Sequence, residues 1–198
     1  MRELKSGLTA EQLAKRSRGC EVSAALPSLW AVELDLLIEL DRVCRKLSIP
    51  YFLHAGTLLG AVRHGGFIPW DDDLDVAMRR KDYDRFCRLA PGEFRHPYCF
   101  QDQHTDPRYP LMHAKVRNSL TTAILNSQVS HGKCTQTFNQ GVFVDVFPLD
   151  GIPDDPALLR SHLRELSWLK NARRRLLRQR AWFLDRRIVR YSAFRDLI

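Results

Sequence analysis

The stretch "GGFIPWDDDLDVAM", residues 65–78, sets four aspartates among the five positions from Asp71 to Asp75, between a Pro-Trp corner and an apolar run. Crowded carboxylates repel one another, and burying them is costly unless something positive meets them. On a strand, side chains alternate between faces. Asp71, Asp73 and Asp75 would then point one way, and Asp72, Leu74 and Val76 the other. Three carboxylates on one face form a hard-oxygen set suited to Mg²⁺ or Mn²⁺. An acidic run is more often a solvated loop, but the apolar flanks argue against that here. A calcium EF-hand loop is excluded because Val76 stands where its glycine belongs.

Two further signals surround this run. Asp145 lies inside "VFVDVF" (142–147), where a lone acid is unfavourable unless a cation or donors compensate it. A second acidic strand beside the first would bring its carboxylate to the same ions, an arrangement suited to in-line displacement at phosphorus. Gly56-Thr57, between "YFLHA" and "TLLGAVRH", reads as a strand-to-helix turn whose free N–H groups and positive dipole can hold a phosphate.

The chain has 198 residues, enough for one domain with a core and an appendage. Its five cysteines form no C-x-x-C pair, which argues against a disulfide framework or a structural zinc site and for reduced thiols. The net charge of +8 is unevenly placed: residues 160–198 hold eleven arginines and one lysine against three acids, leaving about −1 elsewhere. No apolar run reaches the ~20 residues that span a bilayer, and the N-terminus lacks a secretory h-region. The expected location is cytoplasmic, with peripheral contact at the inner membrane face.

Residues 1–28 read as an irregular lead-in. Apolar spacing predicts a helix over 29–44, a short strand over 51–55, a helix over 57–64 and a strand over 73–78. A helix over 81–90 follows, and residues 91–110 read as a loop. "HAKVRN" and "TTAIL" read as a strand pair, 141–150 as the strongest strand, and everything from Pro156 as helix. The class is α/β (α+β), a mixed sheet with flanking helices and a helical C-terminal tail.

The string "YFLHAGTLLGAVRHGGFIPWDDDLDVAM", continued by "RRKDYDRF", then "HAKVRNSLTT" and "GVFVDVFPLDGIPDD", closely resembles the LicD family of phosphocholine transferases, which includes fukutin-related proteins. The resemblance covers about Leu29 to Asp155. It implies a nucleotidyltransferase-like domain over 29–155, followed by an Arg-rich tail over 156–198 that reads as a truncated form. Its metal site falls on Asp73, Asp75 and Asp145 with Asp71 close by, and its catalytic set on Asp73, Asp75 and Asp145. Asp145 or a metal-bound acceptor oxygen would take the acceptor proton. The implied reaction moves phosphocholine, or a similar phospho-substituent, from a CDP-choline-like donor to a glycan or glycan-lipid hydroxyl.

Arg63, Lys115 and Arg117, cations beside these motifs, are candidate phosphate contacts together with Gly56 and Thr57. His54, His64 and His113 read as ordinary core or surface histidines. Position 55 is Ala where the family often has Gly or a small polar residue. The arginine-rich tail reads as a packed helix with Leu159, Leu163, Leu166, Leu169, Leu176 and Leu177 on one face, or as an attachment to an anionic membrane or acceptor. Nucleic acid is not expected as a partner. The competing functions are a nucleotidyltransferase that leaves NMP on its product, and an inactive member that binds anionic surfaces through its tail.

Overall fold

A computed structural model describes residues 7, 9–15, 22–123 and 138–178. The chain divides into two units, residues 1–148 and 149–198.

The first unit opens with α1 (Ala10–Lys15). Thr9 and Gln12 cap it reciprocally: the Thr9 N–H donates to Gln12 Oε1 at 2.8 Å and the Gln12 N–H to Thr9 Oγ1 at 3.2 Å. Leu13 then packs with Trp30 and Ala31. The lead-in expected to be irregular therefore contains a docked helical turn, too short for its periodicity to register. Helix α2 (Leu26–Leu47) is longer at both ends than the predicted 29–44. Pro27 supplies a preset first turn, and Ser48 closes the helix in the left-handed region at φ 52°.

Five strands follow: β1 (Phe52–Leu53), β2 (Asp75–Arg79), β3 (Tyr98–Gln101), β4 (Ala114–Asn118) and β5 (Val142–Leu149), in the spatial order β1-β2-β5-β4-β3. β1 is antiparallel to β2, β3 to β4 and β4 to β5. Helix α3 (Ala55–His64) joins β1 to the acidic run, and α4 (Arg80–Leu89) follows β2. The α+β class is as expected. Two local expectations are corrected. Residues 91–110 hold β3, a four-residue strand after Pro97 whose alternation is too short to stand out. "HAKVRN" is a strand, but its partners are β3 and β5. Thr121 to Ala123 are not in a strand, and the rest of "TTAIL" lies outside the described residues.

The sheet has two unlike faces. Leu74, Val76, Met78, Val116, Val144 and Val146 point into one core with Leu36, Leu40 and Val43 of α2 and Phe86 of α4. Alternation puts Asp75, Lys115, Arg117, Phe143, Asp145 and Phe147 on the other face. Cys44, Cys87 and Cys99 are free thiols, Cys44 in the core.

In the second unit, α5 (Pro156–Arg178) starts where Pro156 predicted it. Asp155 caps it, its Oδ1 accepting from the N–H groups of Ala157 and Leu158 at 2.9 and 2.8 Å. Leu169 is buried and Leu159 and Leu166 are half-buried, whereas Leu163, on the same side of the helix by its spacing, is 52% exposed. The side chains of Leu176 and Leu177 fall outside the described residues. Among the described residues no helix is long and apolar enough to cross a membrane.

Two exchanges in α3 are expected to run against helix propensity. A Cβ on Gly60 would lie 2.5 Å from the Gly66 carbonyl oxygen and 3.0 Å from the Ile68 nitrogen, because the returning chain is packed against the helix there. Ala55 stands at φ 45°, where Gly is relaxed and L side chains are strained. Gly60→Ala should lose about 1–3 kcal/mol despite alanine's propensity, and Ala55→Gly should gain about 1 kcal/mol. Urea midpoints of both variants check this; a stabilised Gly60→Ala would contradict the close approach.

Candidate active site

The acidic run is a pinned loop that leads into a strand. β2 begins at Asp75 rather than Asp73, and residues 71–74 precede it. Backbone hydrogen bonds hold this segment from three sides. The His54 N–H donates to the Asp75 carbonyl at 3.0 Å, and the Asp145 N–H to the Leu74 carbonyl at 2.9 Å. The Asp75 N–H donates to Thr57 Oγ1 at 2.8 Å. From α2, the Trp30 indole N–H donates to the Asp71 carbonyl at 2.8 Å, and its ring stacks on Phe67 at 5.2 Å.

Because the run is not extended strand up to Asp75, strict alternation fails. Asp71, Asp72 and Asp73 each offer an oxygen within 4.8 Å of the others, so Asp72 joins the group from which alternation had removed it. Gly56 and Thr57 are brought to this group, each in a particular way. A Cβ on Gly56 would meet Asp71 Oδ2 at 2.5 Å, so the glycine leaves room for that carboxylate. Asp71 is thus the anion at the start of α3, where the helix dipole favours negative charge. Thr57 uses its hydroxyl on the backbone of β2.

Asp145 is buried opposite Lys115 in the β4–β5 register. Lys115 Nζ lies 2.6 Å, and His113 Nε2 3.0 Å, from the same oxygen, Oδ1. Oδ2 has no such partner among the described residues. Burial pushes the Asp145 carboxyl up, but the His113 hydrogen bond and the Lys115 charge outweigh it and hold the group below its ordinary value. Burial pulls the Lys115 ammonium down to about 8, with Asp145 opposing, so both partners are charged at neutral pH. Lys115 is only 4% exposed and lies 3.2 Å from the Phe143 ring centroid. It therefore neutralises and positions Asp145.

The other cations are placed differently. Arg117 is 5% exposed, donating from Nε to Gln101 Oε1 at 2.5 Å and from Nη1 to the Gly141 carbonyl at 2.6 Å. It braces β3 and β5 and is not brought into the acidic group. Arg63 is exposed on the last turn of α3, about 10 Å along the axis from Gly56. His64 shares that turn, its Nδ1 buried without a partner. His54 and His113, taken as ordinary histidines in the sequence, both line the Asp75–Asp145 face; their ring contacts run through Phe147, at 5.8 and 4.4 Å.

Burial and mutual repulsion raise Asp71, Asp73 and Asp75, Asp75 to about 6, and Asp145 contributes to the repulsion on the last two. One acid was missed entirely. Glu33 of α2 is 2% exposed, with Oε2 unpartnered, and burial followed by the charges of Asp73, Asp72, Asp71 and Asp75 lifts its pKa to about 9. The signal was present: Glu33 is three residues after Trp30 and three before Leu36, an acid amid buried apolar positions. An all-carboxylate set with this much uncompensated repulsion fits a hard divalent cation.

The raised Glu33 value has a consequence for stability. The folded state keeps a proton on Glu33 that the unfolded chain releases near 4.5, so stability present below that pH is lost as pH rises towards 9. Glu33→Gln should therefore stabilise the protein in EDTA by an amount that grows from pH 5 to pH 9, on the order of a few kcal/mol at the upper end. Urea unfolding at three pH values checks it; a variant less stable at pH 9 would mean that Glu33 is held as a charged group.

The family model described as LicD/FKTN/FKRP, nucleotidyltransferase domain, matches residues 48–153. The chain is 33% identical over 150 residues to lipopolysaccharide cholinephosphotransferase LicD of Haemophilus influenzae, which covers 73% of this chain and 53% of that protein. It is 45% identical over 51 residues to ribitol 5-phosphate transferase FKRP of Mus musculus and of Homo sapiens, 26% of this chain and 10% of each. The chain thus spans about half the length of the LicD relative. With the acidic loop, the Gly-Thr helix start and Asp145 all inside the matched span, the chain belongs to the LicD/FKTN/FKRP family.

Proposed function

We propose that this chain catalyses the metal-dependent transfer of a phospho-substituent, phosphocholine in the first instance, from a CDP-activated donor to a glycan hydroxyl. The observation that carries the reading is the Asp71–Asp72–Asp73 carboxylate group, with Asp145 hydrogen-bonded through its backbone to the Leu74 carbonyl beside it and repelling Asp73 and Asp75, one Asp145 oxygen being tied down and the other without a partner among the described residues. Two relatives named as transferases of cholinephosphate and of ribitol 5-phosphate support the class of reaction.

Asp71, Asp73, Asp75 and Asp145 would hold Mg²⁺ or Mn²⁺, which when bound neutralises donor phosphate charge and stabilises CMP as leaving group. Asp73 and Asp75 would act on the donor end only through the cation they hold, because carboxylates and phosphates repel one another. Lys115 and His113 keep Asp145 in one rotamer and ionised. A carboxylate held below its ordinary pKa is a poor proton acceptor, so Asp145 is better suited to hold a cation than to serve as the base that the family resemblance had left open. Arg160, Arg164, Lys170 and Arg175, exposed on α5, suit an anionic glycan-lipid acceptor or the membrane that carries it.

Mg²⁺ or Mn²⁺ is expected to raise the melting temperature by linkage, and Asp73→Asn to abolish the shift. CMP release from CDP-choline should fall by about 10²-fold or more in Asp73→Asn and in Asp145→Asn, with donor binding weakened in both. Calorimetry beside a CMP-release assay checks this. An Asp145→Asn protein that binds donor normally yet fails in turnover would restore the base. Pyrophosphate released from CTP, with no CMP from CDP-choline, would favour a nucleotidyltransferase.

A further inference from the structure

Helix α3 carries its apolar stripe on the outside. The positions turned inward are Gly56, Thr57, Gly60, Ala61 and His64, while Ala55, Leu58, Leu59, Val62 and Arg63 face solvent. Spacings of three and four put the exposed five on one side of the helix. The inward side has to stay small, because a Cβ at Gly60 would already meet the Gly66 carbonyl oxygen at 2.5 Å. That accounts for the inner residues. It does not account for aliphatic outer ones, with Val62 79% exposed, where a water-facing helix side is ordinarily polar.

Trp70 extends this surface. The chain returns along α3 from Gly66, beside Gly60, to Asp71, beside Gly56, and Trp70 lies between those points at 70% exposed. Its backbone is held on both sides. Ile68 and Pro69 are buried, the Asp71 N–H donates to the Ile68 carbonyl at 3.0 Å, and Trp30 holds the Asp71 carbonyl. Phe52, on the strand before α3, is also exposed, with the Arg79 guanidinium carbon 6.0 Å from its ring centroid. Five of the nine large apolar side chains exposed among the described residues of the first unit thus fall between residues 52 and 70. Scattered singly they would need no explanation; gathered on one helix, its strand and its return loop, they mark an interaction surface.

Charge identifies what the surface meets. The chain has 23 acids, yet residues 51–70 contain none, and the lysine or arginine among them is Arg63. The carboxylates begin only at Asp71, at the start of α3, and Arg63 stands on its last turn. A ridge of branched aliphatics, with an indole on one flank and arginines at its margins, has the composition of a helix lying in a lipid headgroup layer. The aliphatic side chains enter the acyl boundary, the indole sits at headgroup depth, and Arg63 extends to anionic headgroups. We propose that the outer side of α3, with Trp70 and Phe52, docks on an anionic lipid membrane. This surface is separate from the exposed cations of α5. It rests on the transferase reading only for its consequence, which is that the carboxylates at the start of α3 are held at the membrane surface, where a glycan-lipid hydroxyl is presented.

The test is flotation of the full chain with vesicles of phosphatidylcholine, alone or mixed with phosphatidylglycerol, beside sedimentation equilibrium and CMP release from CDP-choline. The wild type should bind the mixed vesicles more tightly. Leu59→Ser combined with Val62→Ser should weaken that binding by about tenfold or more, with the melting temperature unchanged because both side chains already face water. Arg63→Gln should weaken it about fivefold, and only on the mixed vesicles. Trp70 emission should shift to the blue when vesicles are added, read as a difference from Trp70→Phe. Vesicle binding that the Leu59 and Val62 substitutions leave unchanged overturns the proposal and assigns the contact to the cations of α5. Absence of vesicle binding also overturns it, and self-association abolished by the same substitutions would then name a second copy of the chain as the occupant. Vesicle binding through the stripe by a protein that releases no CMP sustains the membrane face and overturns the transferase, and CMP release without vesicle binding does the reverse.

Discussion

The mutual repulsion of the carboxylates between Asp71 and Asp75 is the constraint around which this fold is arranged. Left to themselves these side chains would splay into water. They are held together because the backbone beneath them is fixed from several directions: by Trp30 of α2, by His54 and Thr57 at the start of α3, and by the Asp145 N–H of β5. Each of these hydrogen bonds is ordinary, worth about 1 kcal/mol net. Together they leave the carboxylates no backbone freedom with which to separate. The repulsion is then expressed as raised pKa values and as a site ready for positive charge.

The sheet makes this possible by dividing its labour between faces. One face is a valine-rich surface sealed by α2 and α4. The other carries Lys115, Arg117, Asp145 and Gln101, all buried and all but one formally charged. Removing charge from water is tolerated there because the partners are matched across strands, Lys115 with Asp145 and Arg117 with Gln101 and Gly141. Removal of one member of such a set leaves its partner buried and unpaired, the costly case. The acidic loop is the exception on this face, since among the described residues no lysine or arginine is ion-paired with Asp71, Asp72, Asp73 or Asp75.

Much of this was legible in the residues. "VFVDVF" predicted both a strand and a compensated acid, and the structure provides Lys115 and His113 as the compensation. The Gly-Thr pair predicted a strand-to-helix turn beside the acids, and it is there. The roles within that turn were less legible, because Gly56 serves Asp71 by being small, a matter of which atom lies above it. Arg117 and Arg63 looked alike as cations beside motifs. One is walled into the sheet and the other sits on an exposed helix end, a difference set by strand pairing and helix length. β3 was missed because four residues are too few to show a period. Glu33 was missed because an acid on an amphipathic helix reads as a stripe edge until the facing element is known.

The sequence by itself determined the class of the fold and the family, and it named candidate acids, because these depend on residue type, short-range period and a long specific string. Tertiary structure decided which of those groups share an environment. Asp72 enters the cluster through the conformation of a loop, Glu33 reaches it across 38 positions of chain, and His54 and His113 meet Phe147 from different strands. Electrostatic and ring interactions act over a few ångströms of space, and only the packed sheet turns distances along the chain into distances of that size.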